Sequence, residues 1–105
     1  MTAKLDPALQ SSLRIQLVSY LSGCERAEFQ VVQDYCGLTP SNLSKQATVL
    51  SELGYVQIHK GYVGKRPRTW LALTTDGRTA LQSHLAALQQ IAAAAATAAA
   101  RPDER

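Results

Sequence analysis

The sequence predicts a mainly helical domain of the α+β class with one small β-hairpin. The pairs Asp6-Pro7 and Thr39-Pro40 each place a side-chain oxygen before a proline, a pattern typical of helix starts. Two short runs at 55–60 and 69–73 alternate apolar and other residues, as strands do. The 105 residues, 46% of them hydrophobic, correspond to one folded domain with no room for a separate catalytic or ligand domain.

The first helix is predicted to begin at Asp6-Pro7 and to end at Gly23. Its apolar residues form more than the single stripe that one small core requires. We therefore expect a second surface of this helix to be covered by a partner subunit. The residues in question are an i, i+4 row of leucines and two residues on another side: Leu9, Leu13, Leu17, Leu21, Ile15 and Val18.

The next two helices are predicted to form a helix-turn-helix. The second helix covers Glu28 to Cys36, with Phe29 and Val32 turned inward, and Gly37 stops it. The third helix covers 40–53 after the short turn at 37–39, and in such motifs this member enters the DNA major groove. Its buried stripe is predicted to be Leu43, Ala47, Leu50 and Leu53.

A long final helix, about 75–100, is predicted to begin after the cap residue Thr74. A narrow apolar row runs along it, like a seam between helices. The row is Leu81, Leu85, Leu88 and Ile91. The alanine-rich stretch that follows has high helix propensity and should continue the helix. Residues 1–5 are predicted to be an N-terminal arm, and 101–105 a disordered tail.

Positive charge is concentrated on the predicted hairpin. Residues 41–70 carry five cations against one carboxylate, Glu52, a net charge of +4 within a chain of net charge +3. The glycine-containing connection between the two runs is predicted to be too long for a two-residue turn. Segregated positive charge on such a projection indicates a nucleic-acid partner. The cations on or beside the tip are Lys60, Lys65, Arg66 and Arg68.

The exposed face of the third helix carries short hydrogen-bonding side chains and one cation. Such side chains can approach base edges and phosphates closely, and Asn42 offers both a donor and an acceptor to an adenine. Next to the basic hairpin, this face predicts binding of double-stranded DNA. The candidate readers are Ser41, Asn42, Ser44, Lys45 and Thr48.

Other functional classes find little support in the sequence. Cys24 and Cys36 lack metal-ligand spacing, and we expect them to be structural, with a redox-sensing pair as the alternative. Neither His59 nor His84 has a partner in a catalytic pattern, so no enzyme activity, metal or cofactor is expected. Because the sequence shows neither a signal peptide nor a membrane span, we expect a cytoplasmic protein.

Several motifs resemble those of small winged-helix transcriptional regulators related to the MarR and ArsR groups. The more specific are Gly64-Lys65-Arg66-Pro67-Arg68-Thr69 and Leu73-Thr74-x-x-Gly77-Arg78. Weaker ones are Gly37-Leu38-Thr39, Asn42-Leu43-Ser44 and Leu53-Gly54-Tyr55-Val56. The resemblance implies a winged helix-turn-helix with a wing at about 55–73 and a domain over 6–100.

The resemblance also implies a homodimer whose interface is formed by the extended first and last helices. The interface residues expected on this basis are Leu9, Leu13, Leu17, Leu81, Leu85, Leu88 and Ile91. The function expected is repression at a pseudo-palindromic operator, with a small-molecule effector left open. The alternative is a winged-helix module that contacts proteins without binding DNA, which would prefer an exposed apolar patch on the third helix.

Overall fold

A computed structural model describes residues 3–100 and confirms the mainly helical α+β class. Its elements are a 3-10 turn at Pro7–Leu9, α1 at Ser12–Ser22, β1 at Ala27–Glu28, α2 at Phe29–Cys36, α3 at Pro40–Glu52, β2 at Val56–Val63, β3 at Arg66–Leu73 and α4 at Thr75–Ala99. The predicted tail at 101–105 and the first two residues of the predicted N-terminal arm lie outside the described residues.

The prediction of one continuous first helix from Asp6 to Gly23 is wrong. Asp6 does act as a cap, since its Oδ1 accepts a hydrogen bond from the N–H of Ala8 over 2.9 Å, but it starts only a 3-10 turn. Ser11 then provides a second cap by accepting from the N–H of Arg14 over 3.4 Å, and α1 begins at Ser12. Serine side chains compete in this way for the backbone, so they favour a break and a new helix start.

The additional apolar residues of α1 are buried in the core of the same chain. This helix packs against α2, α3, β3 and α4, so its buried residues face several neighbours instead of one. The fully buried core residues include Leu9, Leu17, Val18, Leu21, Val32, Leu43, Leu50 and Leu71. The structure therefore corrects three members of the expected dimer interface, because Leu9, Leu17 and Leu81 are at most 4% exposed within one chain.

The helix-turn-helix has the predicted stops and starts. Gly37 ends α2 with φ = 67°, a left-handed conformation that glycine adopts without steric cost. The Oγ1 of Thr39 caps α3 by accepting from the N–H of Asn42 over 3.2 Å. Leu43, Ala47 and Leu50 form the buried stripe, but Leu53 is 49% exposed, because α3 ends at Glu52. The inclusion of Leu53 in that stripe was wrong.

The hairpin is longer, and its turn tighter, than the sequence suggested. Strands β2 and β3 pair in antiparallel fashion from Val56 opposite Leu73 to Val63 opposite Arg66, so only Gly64 and Lys65 form the turn. Gly64 supplies the positive φ, 64°, that a two-residue hairpin turn needs at its first position. Pro67 is tolerated near the tip because β3 has no neighbour there on its other side.

A third strand, β1, was not predicted. Its two residues, Ala27 and Glu28, pair with Leu71 and Trp70 and complete an antiparallel sheet in the order β1-β3-β2. Two residues carry no detectable periodicity, so this strand is defined only by its tertiary pairing. It brings the end of the α1–α2 connection to the open edge of the hairpin.

Helix α4 begins against the hairpin base and then leaves the domain. Thr74 caps it by accepting from the N–H of Gly77 over 3.0 Å, and the Thr74 hydroxyl donates to the carbonyl of Gly54. The helix has 25 residues, or about 37 Å, and the molecule is 69 Å long but only 27 Å and 20 Å across. Residues 88–100 are exposed throughout. Within 3–100, no helix combines the length and the apolar character that crossing a membrane requires.

Candidate nucleic-acid interface

The third helix and the basic hairpin line one cleft of roughly 650 Å³. Ser44 and Thr48 form the wall on α3, while Lys60 and Arg68 lie on the hairpin side. Apolar residues between them, among them Phe29, Ala47, Ile58 and Leu71, connect the cleft to the core. The polar face of α3 and the cationic hairpin, which were predicted separately from the sequence, therefore line the same surface.

The candidate readers on α3 are distributed over three sides of the helix. Ser44 and Thr48 face the cleft, one turn apart. Ser41 and Lys45, also one turn apart, are exposed on the face opposite the buried stripe. Asn42 lies on the remaining side and is half-buried. The structure thus brings Ser44 and Thr48 next to the hairpin cations and places Asn42 away from them.

Asn42 is held by a chain of hydrogen bonds that the sequence did not reveal. Its Oδ1 accepts from Nε2 of Gln46 over 3.2 Å, and Oε1 of Gln46 accepts from a guanidinium nitrogen of Arg14 over 3.1 Å. The i, i+4 spacing of Asn42 and Gln46 is visible in the sequence, but Arg14 is 32 residues from Gln46. The expectation that both groups of the Asn42 amide are free for an adenine therefore needs revision, because its oxygen already has a partner.

The four hairpin cations lie on two faces of the hairpin. Strand residues alternate between faces. Lys60, paired with Thr69, lies on the face of the hairpin that is directed toward α3. The Cα–Cβ bonds of Arg66 and Arg68 point to the opposite face. Arg66 and Lys65 are exposed at the tip and make no ion pair within the described part of the chain.

Arg68 is the cation whose charge is partly compensated. Its Nε lies 3.7 Å from Oε1 of Glu28, at the edge of the cleft, and the two side chains are 38% and 39% exposed. Glu28 reaches this position because β1 pairs with β3 beside Trp70. An exposed pair of this kind contributes only about 0–1 kcal/mol to stability, so its main effect here is on the local charge.

Residues 13–92 match the family described as the winged helix DNA-binding domain. The chain belongs to this family. The winged-helix match confirms the resemblance to winged-helix transcriptional regulators drawn from the sequence. In the usual terms for this fold, α3 occupies the position called the recognition helix and the β2–β3 hairpin the position called the wing.

Two known proteins align with this winged-helix chain at 28% identity. It is 28% identical over 81 residues to the uncharacterized protein MJ0432 of Methanocaldococcus jannaschii, an alignment that covers 77% of this chain and 88% of the relative. It is also 28% identical to a transcriptional regulator homologue from Pyrococcus horikoshii OT3, with a TM-score of 0.77 and coverage of 83% and 86% of the two chains.

A more distant structure shares the fold. The Mycobacterium tuberculosis transcriptional regulator MOSR, solved in complex with DNA, is 18% identical and has a TM-score of 0.67. The match covers 92% of this winged-helix chain and 68% of the M. tuberculosis protein.

The wing is supported by residues that sequence reasoning did not select. Trp70 lies on the outer face of the sheet, with the Arg26 guanidinium 4.9 Å from the centre of its ring. A Cβ at Gly61 would lie only 3.1 Å from Trp70, so the indole packs over a strand glycine and covers its backbone. The signal that was available is an aromatic residue placed diagonally across the hairpin from a glycine, since Trp70 pairs with His59 and Gly61 with Arg68.

The cysteines and histidines form no functional cluster in the described residues. No group of three metal-binding side chains occurs among residues 3–100. Cys24 and Cys36 are free thiols, and burial raises the pKa of Cys36, which disfavours its reactive thiolate. His84 is buried and its Nδ1 accepts a hydrogen bond from the N–H of Asp6, a structural contact.

Proposed function

We propose that this winged-helix protein binds double-stranded DNA sequence-specifically as a homodimer and acts as a repressor. The observation that carries the proposal is the shared cleft, which joins the recognition helix to the basic wing. A protein whose polar helix face and cationic hairpin meet at one cleft can place the helix in a major groove and the hairpin on the neighbouring phosphates.

Within this arrangement the side chains divide by role. The short polar residues at the start of α3 would contact base edges, as the N-terminal residues of recognition helices do. Lysines and arginines of the wing would contact phosphates or a narrow, A·T-rich minor groove. The proposed base-reading residues are Ser41, Asn42, Ser44, Lys45 and Thr48, and the proposed backbone contacts are Lys60, Lys65, Arg66 and Arg68.

The proposed dimer uses α4. Leu85, Leu88 and Ile91 are 41%, 42% and 55% exposed on the part of the helix that leaves the domain. Leucine and isoleucine at such spacing form seams between helices, and the alanines that follow allow two helices to approach closely. Of the residues first expected at the interface, these three are the ones that remain accessible, with Leu13 half-buried at the start of α1.

Two-fold symmetry of the dimer requires a pseudo-palindromic operator. Its half-sites should lie about one helical turn, roughly 34 Å, apart or a multiple of that distance. Occupancy of such a site by the protein would block access to an overlapping promoter, which is why we favour repression.

Selection of DNA fragments from a random-sequence pool, followed by footprinting, tests the proposal. We expect an enriched pseudo-palindrome and two protected half-sites at the spacing given above. Failure to enrich any sequence, together with capture of a partner protein through α3, would support the protein-contact alternative instead. A single protected half-site at saturating protein would contradict the dimer.

A further inference from the structure

The orientation of the Asn42 amide is determined by Arg14. The Nε of Arg14 donates to the carbonyl of Ala8 over 2.6 Å, and a second guanidinium nitrogen donates to Oε1 of Gln46 over 3.1 Å. The first bond fixes the guanidinium between the 3-10 turn and α3. The second bond places an N–H donor of the guanidinium in a fixed position beside Gln46 of α3.

An arginine can only donate hydrogen bonds, whereas a primary amide has one donor end and one acceptor end. Arg14 therefore requires Gln46 to present its oxygen to α1 and its NH2 group to Asn42. The NH2 group in turn requires Asn42 to present Oδ1 to Gln46. One donor-only group thus decides the direction of both amides, and the ambiguity that normally affects amide orientation is removed.

We infer that Arg14 and Gln46 are positioning residues that turn the NH2 group of Asn42 toward DNA, so that Asn42 acts in recognition as a donor. The inference rests on the proposed function, since it assigns a chemical preference to one of its base-reading residues. In the major groove, guanine presents two acceptors and thymine one, whereas cytosine presents only the N4 donor. Asn42 should therefore favour guanine or thymine over cytosine at the base it contacts.

The substitution Gln46→Glu reverses this preference. A carboxylate accepts from Arg14 with one oxygen and from Asn42 with the other, so Asn42 must turn its NH2 group inward and its Oδ1 outward. An outward acceptor favours the donors of cytosine N4 or adenine N6. Gln46→Met removes the amide at similar size and leaves Asn42 free to adopt either orientation.

Asn42→Ala first identifies the operator position at which the base preference depends on Asn42. Binding is then measured to operators that carry each of the four bases at that position. Wild type should prefer guanine to cytosine by about tenfold, which corresponds to ~1.4 kcal/mol. Gln46→Glu should invert that preference, and Gln46→Met should abolish it. Gln16→Glu, the same chemical change at an exposed position of α1, should leave the preference as in wild type. An unchanged guanine preference in Gln46→Glu would overturn the inference.

A second measurement is independent of DNA. In the free protein, the side-chain NH2 signal of Gln46 should be protected from hydrogen exchange with solvent, and that of Asn42 should exchange freely. In Gln46→Glu, the Asn42 NH2 signal should become protected. A protected Asn42 NH2 in wild type would overturn the inference even if the protein selected an operator. Absence of any selected operator for wild type would instead count against the proposed function, while the exchange measurement still decides the orientation.

Discussion

The hydroxyl of Tyr55 donates a hydrogen bond to Oδ2 of Asp6 over 2.6 Å. The same aspartate donates its backbone N–H to Nδ1 of His84 over 2.9 Å, and His84 is buried in α4. Asp6 therefore ties the N-terminal segment to two places at once, the turn after α3 and the third turn of α4. These contacts explain how a segment with little regular structure keeps Leu9 in the core.

Because of the contact between Tyr55 and Asp6, we expect the free energy of unfolding to decrease at alkaline pH. The hydrogen bond to Asp6 is the largest cause that raises the pKa of Tyr55 from 10.0 to about 12, followed by burial. A raised pKa means that the stabilisation is fully present below pH 10 and is lost as the pH rises toward 12. We expect Tyr55→Phe to lower the free energy of unfolding by about 1 kcal/mol near neutral pH.

Urea unfolding of wild type and Tyr55→Phe on either side of pH 10 checks this expectation. The difference between the two proteins should be constant below that pH and should shrink above it. Tyr62→Phe is the matched control, because Tyr62 is 73% exposed and should show no difference at any pH. A difference that persisted undiminished at pH 12 would exclude the Asp6 bond as its source.

Gly77 is predicted to be required for the close approach of α4 to the hairpin base. A Cβ at this position would collide with the carbonyl oxygen of Tyr55 and lie 2.6 Å from Cδ1 of Leu73. Gly77→Ala should therefore destabilise the protein by roughly 1–3 kcal/mol, although alanine is the better helix former. Gly23→Ala, where the nearest atom is 3.6 Å away, should cost little. Thermal unfolding of the two variants makes the comparison, and equal midpoints would contradict it.

The pair formed by Glu28 and Arg68 is predicted to weaken DNA binding. Glu28→Gln should release Arg68 to contact phosphates and should tighten binding, while stability changes by less than about 1 kcal/mol. Glu25→Gln removes the same charge from an exposed neighbouring position that has no such ion pair in the described residues. Fluorescence anisotropy with labelled operator measures both variants. Equal tightening by the two would show that net charge, not release of Arg68, is responsible.

The proposed dimer predicts a position-specific effect on α4. A carboxylate buried at a helix seam has no partner, so Leu88→Glu should yield monomers in sedimentation experiments. Gln89→Glu places the same side chain at the adjacent exposed position and should remain dimeric. Monomers in both variants, or dimers in both, would remove Leu88 from the interface.

Local signals allowed the helix boundaries to be predicted where one residue decides them. Thr39 and Thr74 do form the caps that the sequence indicated, and Gly37 does adopt the left-handed conformation of a helix stop. The start of α1 was mispredicted because Asp6 and Ser11 are both adequate caps, and the sequence does not say which one starts the longer helix.

The remaining features depend on contacts between distant residues. The tight turn at Gly64 follows from strand pairing that continues through Gly61 and Pro67, residues that look like strand breakers in the sequence alone. The burial of Leu17 depends on how many elements surround α1. The number of apolar stripes on the helix, read from the sequence, does not reveal this. The ion pair of Arg68 and the orientation of Asn42 depend on Glu28 and Arg14, which lie far away in the sequence.

The proposed function requires the recognition helix and the wing to contact one duplex together, and the salt dependence of binding tests this requirement most directly. Each phosphate contact contributes about −0.9 to the slope of log K against log salt. The double variant Lys65→Ala, Arg66→Ala should therefore have a slope about 2 units shallower than that of wild type. Lys4→Ala is the control, because Lys4 is exposed and lies two residues before Asp6, which is bonded to Tyr55 beyond the C-terminal end of α3. An undiminished slope in the double variant would contradict the claim.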